Sequence, residues 1–339
     1  MAARSSSIIR RALLYGQHRS IPNAREILST NFRAVPSSSE KMLTKSLGLT
    51  SDNVTYDLED SVTPHLKSQA RSQLRSFLAK QDSRPASIAE LAVRVNAVET
   101  KFALDDLTTI GPLPNVDAVV VPKVNSAADL TYVTDVLRHV APERHMAESD
   151  NPIKIIALIE SARAVMNLSE ICKASPYLSG LIFAAEDFAL DLSLTRTPSL
   201  TEFLYARSAI VTAAKAAGLP SAIDLVCTSY KGDEGLKRLE EESLSGKSMG
   251  FNGKQCIHPT QVALVQKLFA PGEKEVEWAV RVAIADEKAS AAGRGAWTLD
   301  GKMIDAPVTG KAKAIIAKAE KCGVDVNSLR EKWRGQEPE

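Results

Sequence analysis

The sequence predicts an eight-stranded α/β barrel carrying a C-terminal helical lid extension, and three observations predict it. From about residue 47, short apolar runs alternate with amphipathic stretches, the pattern of βαβ units and parallel strands. Nearly every apolar run exits into a polar residue: Glu59, Asp60, Arg94, Asn96, Lys123, Glu160, Asp187, Asp224 and His258. In an open doubly wound sheet, the competing architecture, such residues would collect at one switch point. The length of 339 residues accommodates a barrel of ~250 residues with extensions. Neither a Gly-x-Gly-x-x-Gly nor a Gly-x-x-x-x-Gly-Lys-Ser/Thr loop occurs, which weakens nucleotide-fold readings.

In order, the strand-like runs are Val54–Asp60, Leu91–Asn96, Val116–Val124, 153–160, Leu181–Asp187, Ala222–Val226 and Gly250–His258. Helical stretches follow them: Pro64–Lys80, Phe102–Ile110, one from Asp129 to Val140, one to Ala174, Thr201–Ala217, 233–245 and Thr260–Phe269. The Pro-containing 141–152 stretch reads as a loop. Closing the barrel needs one more strand, and the candidates are Arg11–Tyr15 and Phe32–Val35. Beyond the barrel come a charged helix over 273–294, a polar turn at Gly295–Gly301, the run Lys302–Pro307, a helix over Val308–Lys321 and a polar tail. The chain therefore divides into a 1–34 leader region, a 35–270 barrel and a 271–339 extension. A barrel needs no such appendage for closure, so the extension is expected to pack as a lid, over a neighbouring subunit.

Composition narrows the function. The chain is 44% apolar and 24% charged with net charge +1, a balance that argues against a general nucleic-acid surface. No apolar run approaches the ~20 residues that span a bilayer. Cys172, Cys227, Cys256 and Cys322 are scattered, with no C-x-x-C pair, and read as reduced thiols of an intracellular protein. Residues 1–25 hold Arg4, Arg10, Arg11, Arg19 and Arg25, with no acid before Glu26. That composition fits a mitochondrial transit peptide, with a plain basic tail and a cytoplasmic protein as the alternative.

The chemistry centres on two runs, Ile155–Glu160 and Leu181–Asp187, each apolar and each ending in carboxylate. Buried parallel strands look like this, and their C-terminal ends face the place where α/β barrels carry out chemistry. Glu160 and Asp187 on neighbouring strand ends can share one hard cation such as Mg²⁺. The bland reading is a pair of helix N-caps.

Seven motifs then stand in one order: Asp57-Leu-Glu-Asp60, Val93-Arg-Val-Asn-Ala97, Val121-Pro-Lys-Val124, Ala157-Leu-Ile-Glu160, Ala185-Glu-Asp-Phe188, Gly253-Lys-Gln-Cys-Ile-His-Pro259 and Asp300-Gly-Lys-Met-Ile-Asp-Ala-Pro307. Over about residues 35–318 this resembles the citrate lyase beta-subunit-like proteins, the malyl-CoA and citramalyl-CoA lyases of the Mg²⁺-dependent barrel aldolases. The resemblance implies Mg²⁺ on Glu160 and Asp187, with Arg94 on the substrate's carbonyl oxygens. It implies Glu59 and Asp60 behind the metal or reaching it through water, and Asp305 as the acid/base residue supplied to an adjacent subunit of a trimer or hexamer. Lys41 and Lys45 match positions that meet the CoA phosphates, Ile257 and His258 match a stretch lining the CoA site, and Tyr15 falls in the substrate-binding part. Against these stand plainer readings. Arg94 can be a structural ion pair with Asp57 or Glu59, Asp305 a helix cap, His258 a hydrogen-bonded core histidine, and Lys41 and Lys45 a solvated helix face. Asn96 and Lys123 read as packing or supporting residues, and Glu186 as a bystander of Asp187.

The chain departs from the family pattern at its start. The family's continuous first strand and turn is split here between Arg11–Tyr15 and Val35–Lys41, with 16–34 between the halves. Residues 16–34 read as extra coding sequence such as a retained intron. Alternatively, 1–31 is all leader and Phe32–Val35 is strand one. The activity implied is Mg²⁺-dependent cleavage of (3S)-citramalyl-CoA or malyl-CoA to acetyl-CoA and pyruvate or glyoxylate, with a malate-synthase-like reverse step. The competing functions are an aldolase on free hydroxy-keto acids and a non-catalytic variant with a disrupted first strand.

Overall fold

The computed structural model describes residues 9–14, 37–81 and 83–339. Tyr15, the 16–34 stretch and Phe32–Val35 lie outside the described residues. The chain forms two compact units, one ending at Lys267 and one spanning Leu268–Glu339.

In the first unit eight parallel strands close in sequence order: β1 Ala12–Leu14, β2 Ser51–Asp57, β3 Ile88–Arg94, β4 Ala118–Val121, β5 Lys154–Ile159, β6 Leu178–Phe183, β7 Ser221–Asp224 and β8 Gly253–Cys256. Of the two candidates for the closing strand, the Arg11–Tyr15 run supplies it, through β1. The seam pairs Ala12 with Lys254 and Leu14 with Cys256. Side chains two residues apart on one strand fill the interior, including Ala118 and Val120, and Ile156 and Leu158. That is the layered filling of a barrel whose lumen is core and not pore.

The helices return the chain outside the sheet: α1 Glu40–Ser46, α2 Lys67–Ala79, α3 Ala103–Ile110, α4 Ala127–Val140, α5 Ala162–Met166, α6 Leu168–Ile171, α7 Ala185–Asp191, α8 Leu204–Ala216, α9 Gly232–Met249 and α10 Pro259–Phe269. Among the described residues, no helix is long and apolar enough to cross a membrane.

A buried charge network locks the foot of the seam. Arg10 Nε and Nη2 grip the Glu90 carboxylate at 2.5 and 2.6 Å. Its Nη1 reaches Ser179 O and Ser221 Oγ, both at 3.0 Å, so one guanidinium ties the strand-one segment to β3, β6 and β7. Asn53 adds a third donor to Glu90 at 2.8 Å. Arg11 forks onto Asp52 at the same end, at 3.0 and 2.8 Å. Two of the arginines that suggested a leader therefore belong to the barrel. Gly253 makes the seam possible: a Cβ there would sit 1.9 Å from Arg10 O.

The second unit holds α11 Glu273–Ala291, a hairpin of β9 Trp297–Leu299 and β10 Lys302–Ile304, α12 Ala306–Lys321 and α13 Val326–Lys332. These elements share a core that includes Val280, Ala283, Trp297, Ile304 and Ile316. The stretch read as a polar turn thus contains β9, and the polar tail contains α13. Asp300 and Gly301 both take positive φ, 52° and 71°, as the two-residue type I′ hairpin turn requires.

Candidate active site and metal centre

The site gathers where β2 to β6 end. Asp57 closes β2 and pairs across the ladder with Arg94, which closes β3. Nε and Nη2 of Arg94 each meet an Asp57 oxygen at 2.7 Å, a parallel fork of the geometry carboxylates favour. Burial works to raise Asp57, yet the guanidinium outweighs it and holds the carboxyl below its ordinary value. The third edge of Arg94, Nη1, lies 2.6 Å from Glu59 and 3.8 Å from Asp60. Arg94 is only 1% exposed. The ion-pair reading of Arg94 therefore describes its observed contacts.

The loop carrying Glu59 and Asp60 is pinned from several sides. Asp57 accepts from the backbone N–H of Glu59 at 2.9 Å and of Ser61 at 3.0 Å. Lys67 from α2 donates to the carbonyls of Leu58 and Glu59 at 2.8 and 2.6 Å. Asn96 donates to Leu58 O at 3.0 Å and to Asp106 at 2.6 Å, so it packs the loop and does not face the mouth. Burial, opposed by Arg94, leaves the Glu59 carboxyl raised.

Lys123 follows β4 and joins two acids. Its Nζ meets Glu59 Oε1 at 3.0 Å, and its backbone N–H donates to Glu160 Oε1. The residue sits at φ 52°, a left-handed conformation that costs a non-glycine residue about 1 kcal/mol or more and turns that N–H onto Glu160. Its contacts are those of the supporting residue the sequence offered as one of two readings, and Asp57 is the partner offered for Arg94. Lys67 was missed, because only a helix nine residues on reveals its partners.

Glu160 stands just past β5, 6% exposed. Burial first, then the neighbouring charges of Glu59 and Asp187, push its carboxyl up to about 8. Asp187 does not end a strand: β6 stops at Phe183, and Asp187 lies half-buried in the first turn of α7, where the helix dipole favours an acid. The apolar run therefore continues past the strand, since Ala184 and Ala185 suit a helix entry as well as a sheet. Glu186 turns away to Arg196, 2.6 Å distant.

Asp224 also departs from the exit pattern: it is fully buried against Arg207 of α8 at 2.7 Å, beneath Gly246 of α9. Ile257 and His258 follow β8, and both backbone N–H groups donate to Gln261 Oε1 at 2.8 and 3.2 Å. His258 Nδ1 pairs with Thr260 Oγ1 at 2.7 Å, and its ring stacks on Tyr230 at 5.2 Å. Lys41 and Lys45 lie on the exposed face of α1. Asp305 is in the second unit, at the N-cap of α12, where Oδ1 accepts from Val308 N at 3.1 Å.

The mouth of the barrel thus brings Asp57, Glu59, Asp60, Arg94, Lys123, Glu160 and Asp187 together. Among the described residues no group of three or more His, Cys, Asp or Glu side chains is placed to hold a metal ion. A magnesium ion does not need one: one or two carboxylates and several waters suffice. Glu160 and Asp187 fit that demand, because acids crowded enough to drive one carboxyl to about 8 would be relieved by a hard divalent cation.

The model of the HpcH/HpaI aldolase/citrate lyase family matches residues 34–259. The chain belongs to that family. It is 36% identical over 286 residues to the citrate lyase subunit beta of Haemophilus influenzae, covering 84% of this chain and 95% of that one. It is 33% identical over 296 residues to the human mitochondrial citramalyl-CoA lyase, covering 84% of each. Among solved structures, the CitE protein of Mycobacterium tuberculosis in complex with magnesium, acetoacetate and coenzyme A superposes with a TM-score of 0.68 at 26% identity, covering 94% of this chain and all of that one. Magnesium is named in that relative's structure and also in its complex with oxaloacetate.

Proposed function

We propose that this HpcH/HpaI family member is a Mg²⁺-dependent acyl-CoA lyase that cleaves (3S)-citramalyl-CoA or malyl-CoA to acetyl-CoA and pyruvate or glyoxylate. The observation that carries the reading is the acid excess around Glu160 and Asp187 beside a buried Arg94. Glu160 and Asp187 would hold the ion. When bound, it supplies Lewis-acid polarisation of a carbonyl oxygen.

The chain's own residues do the rest. Arg94 fixes a permanent positive charge at the head of β3, where oxyanion character develops, while its fork on Asp57 keeps it from moving. Glu59 and Asp60, behind Arg94, set how much of that charge is spent before substrate arrives. Lys123 holds Glu160 by its backbone and Glu59 by its side chain, fixing the gap between the two acids. An N-cap uses one carboxylate oxygen, here Oδ1 of Asp305, and leaves Oδ2 to move a proton at the carbon between the thioester and the breaking bond. In this proposal the second unit is a lid that delivers Asp305 to a neighbouring subunit of a trimer or hexamer.

Lys41 and Lys45, exposed on α1, and the Ile257–His258 turn are proposed to meet coenzyme A. The turn would do so by shape and ring surface, since Gln261 takes its backbone N–H groups. A mitochondrial address belongs to the proposal too. Any leader cleavage must fall before Arg10 to leave the barrel floor whole, which N-terminal sequencing of the mature protein checks.

The deciding test is turnover of (3S)-citramalyl-CoA, malyl-CoA and the corresponding free acids, with and without Mg²⁺. Cleavage of a thioester that stops on chelation is expected. Turnover of the free acids alone would give the site to an aldolase, and a folded protein inert towards all of them would give it to a non-catalytic variant.

A further inference from the structure

Asp305 directly follows the β9–β10 hairpin, so its position depends on how that hairpin is held. Arg281 of α11 grips the tip, with Nη1 and Nη2 on the two Asp300 oxygens at 2.8 and 2.7 Å. Its Nε donates to Gln336 at 2.8 Å, and its guanidinium lies over the Trp333 ring, 4.7 Å from the centroid. From there the chain runs on to the hairpin's outer edge. Thr298 N donates to Glu339 O at 3.1 Å and Glu339 N donates to Thr298 O at 3.0 Å, a complete antiparallel pair added to β9. One arginine and the 333–339 segment thus hold the tip and the open edge at once.

An exposed ion pair alone adds about 0–1 kcal/mol, too little to explain such provision as stability. A two-pronged fork on a two-residue turn, backed by a stacked ring, instead fixes direction. We infer that Arg281, with the 333–339 segment, is a positioning device that aims Asp305 for proton transfer. This rests on the acid/base reading of Asp305. Misplacing a reacting group by about 1 Å can cost up to about 100-fold in rate, so the device is worth that order in kcat.

The experiment compares Asp305→Asn, Arg281→Met, Arg281→Lys, Asp300→Asn and Arg281→Met/Asp305→Asn in the full-length chain, reading kcat, KM and amide exchange at Thr298. Asp305→Asn is expected to remove turnover; if it does not, the acid/base reading falls, whatever Arg281 does. Given that loss, Arg281→Met is expected to lower kcat by about tenfold or more at unchanged KM and to speed exchange at Thr298. Arg281→Lys keeps the charge without the fork and should recover only part of kcat. Asp300→Asn, at an exposed site outside the core, should act in the same direction and guards against a folding artefact. The double variant should be no slower than Asp305→Asn alone. Unchanged kcat in Arg281→Met and Asp300→Asn, or unchanged exchange at Thr298, would overturn the inference.

Discussion

The floor and the mouth of the barrel are built from opposite ends of the same strands, and they treat buried charge in opposite ways. At the floor, Glu90 is wholly buried but gripped by Arg10 and Asn53; burial works to raise its carboxyl, and Arg10 outweighs that and holds it below its ordinary value. At the mouth, burial and neighbouring acids drive Glu160 up to about 8. β3 carries Glu90 near its foot and Arg94 at its head, so one strand contributes to both. A balanced cluster serves closure; an unbalanced one leaves an acid excess that the proposed cation would relieve. Strand direction sorts them, because α/β barrels carry out chemistry at the C-terminal ends and build stability at the other.

The largest expected effect is at the floor: Arg10→Met leaves Glu90 buried without its partner and should cost about 3–5 kcal/mol, read by urea unfolding. Arg10→Met/Glu90→Leu should recover most of that loss and keep turnover, since an apolar replacement of a buried pair is often neutral. If the double variant stays unstable, the floor is more than a closure device. At the mouth the sign reverses. Glu160→Gln should lower turnover by about 10³-fold or more, yet raise metal-free stability by about 1 kcal/mol, measured by thermal unfolding at alkaline pH. A smaller effect is expected at the seam, where Gly253→Ala forces a methyl into Arg10 O and should cost about 1–3 kcal/mol.

The finest contrast is in pH. Glu90, lowered in the fold, stabilises above its ordinary value near 4.5 and loses that contribution as pH falls below it. Glu160, raised in the fold, does the reverse: metal-free stability declines as pH climbs from about 4.5 towards about 8. If Glu160 holds Mg²⁺ as proposed, the ion must displace its proton, so the stabilising shift in melting temperature should be larger near about pH 8.5 than near about pH 6. An equal shift at both values would remove Glu160 from the ion's ligands.

Much of this was legible in the chain. Period and run length disclosed the barrel, and Glu160 betrayed itself by ending an apolar run. What escaped depended on partners far away in sequence. Arg10 looked like a leader residue, and Arg11 read both as leader and as the start of a strand, because nothing local announces Glu90 or Asp52. Asp187 looked like a strand end because alanines 184 and 185 fit either element. Lys123 read equally as packing or support, because a left-handed turn outside glycine leaves little local trace. Trp297–Leu299 hid as a strand within a polar stretch, since a hairpin edge needs only one apolar face.

The seam between Ala12 and Lys254 has a consequence for how the molecule comes into being. Of the eight barrel strands a ribosome delivers β1 first and β8 last. Throughout synthesis of the intervening helices and strands, the earliest stave has one unsatisfied edge. Arg10 can recruit Glu90, then Ser179, then Ser221 as each emerges, so a cage assembles around a single waiting guanidinium before the cylinder shuts.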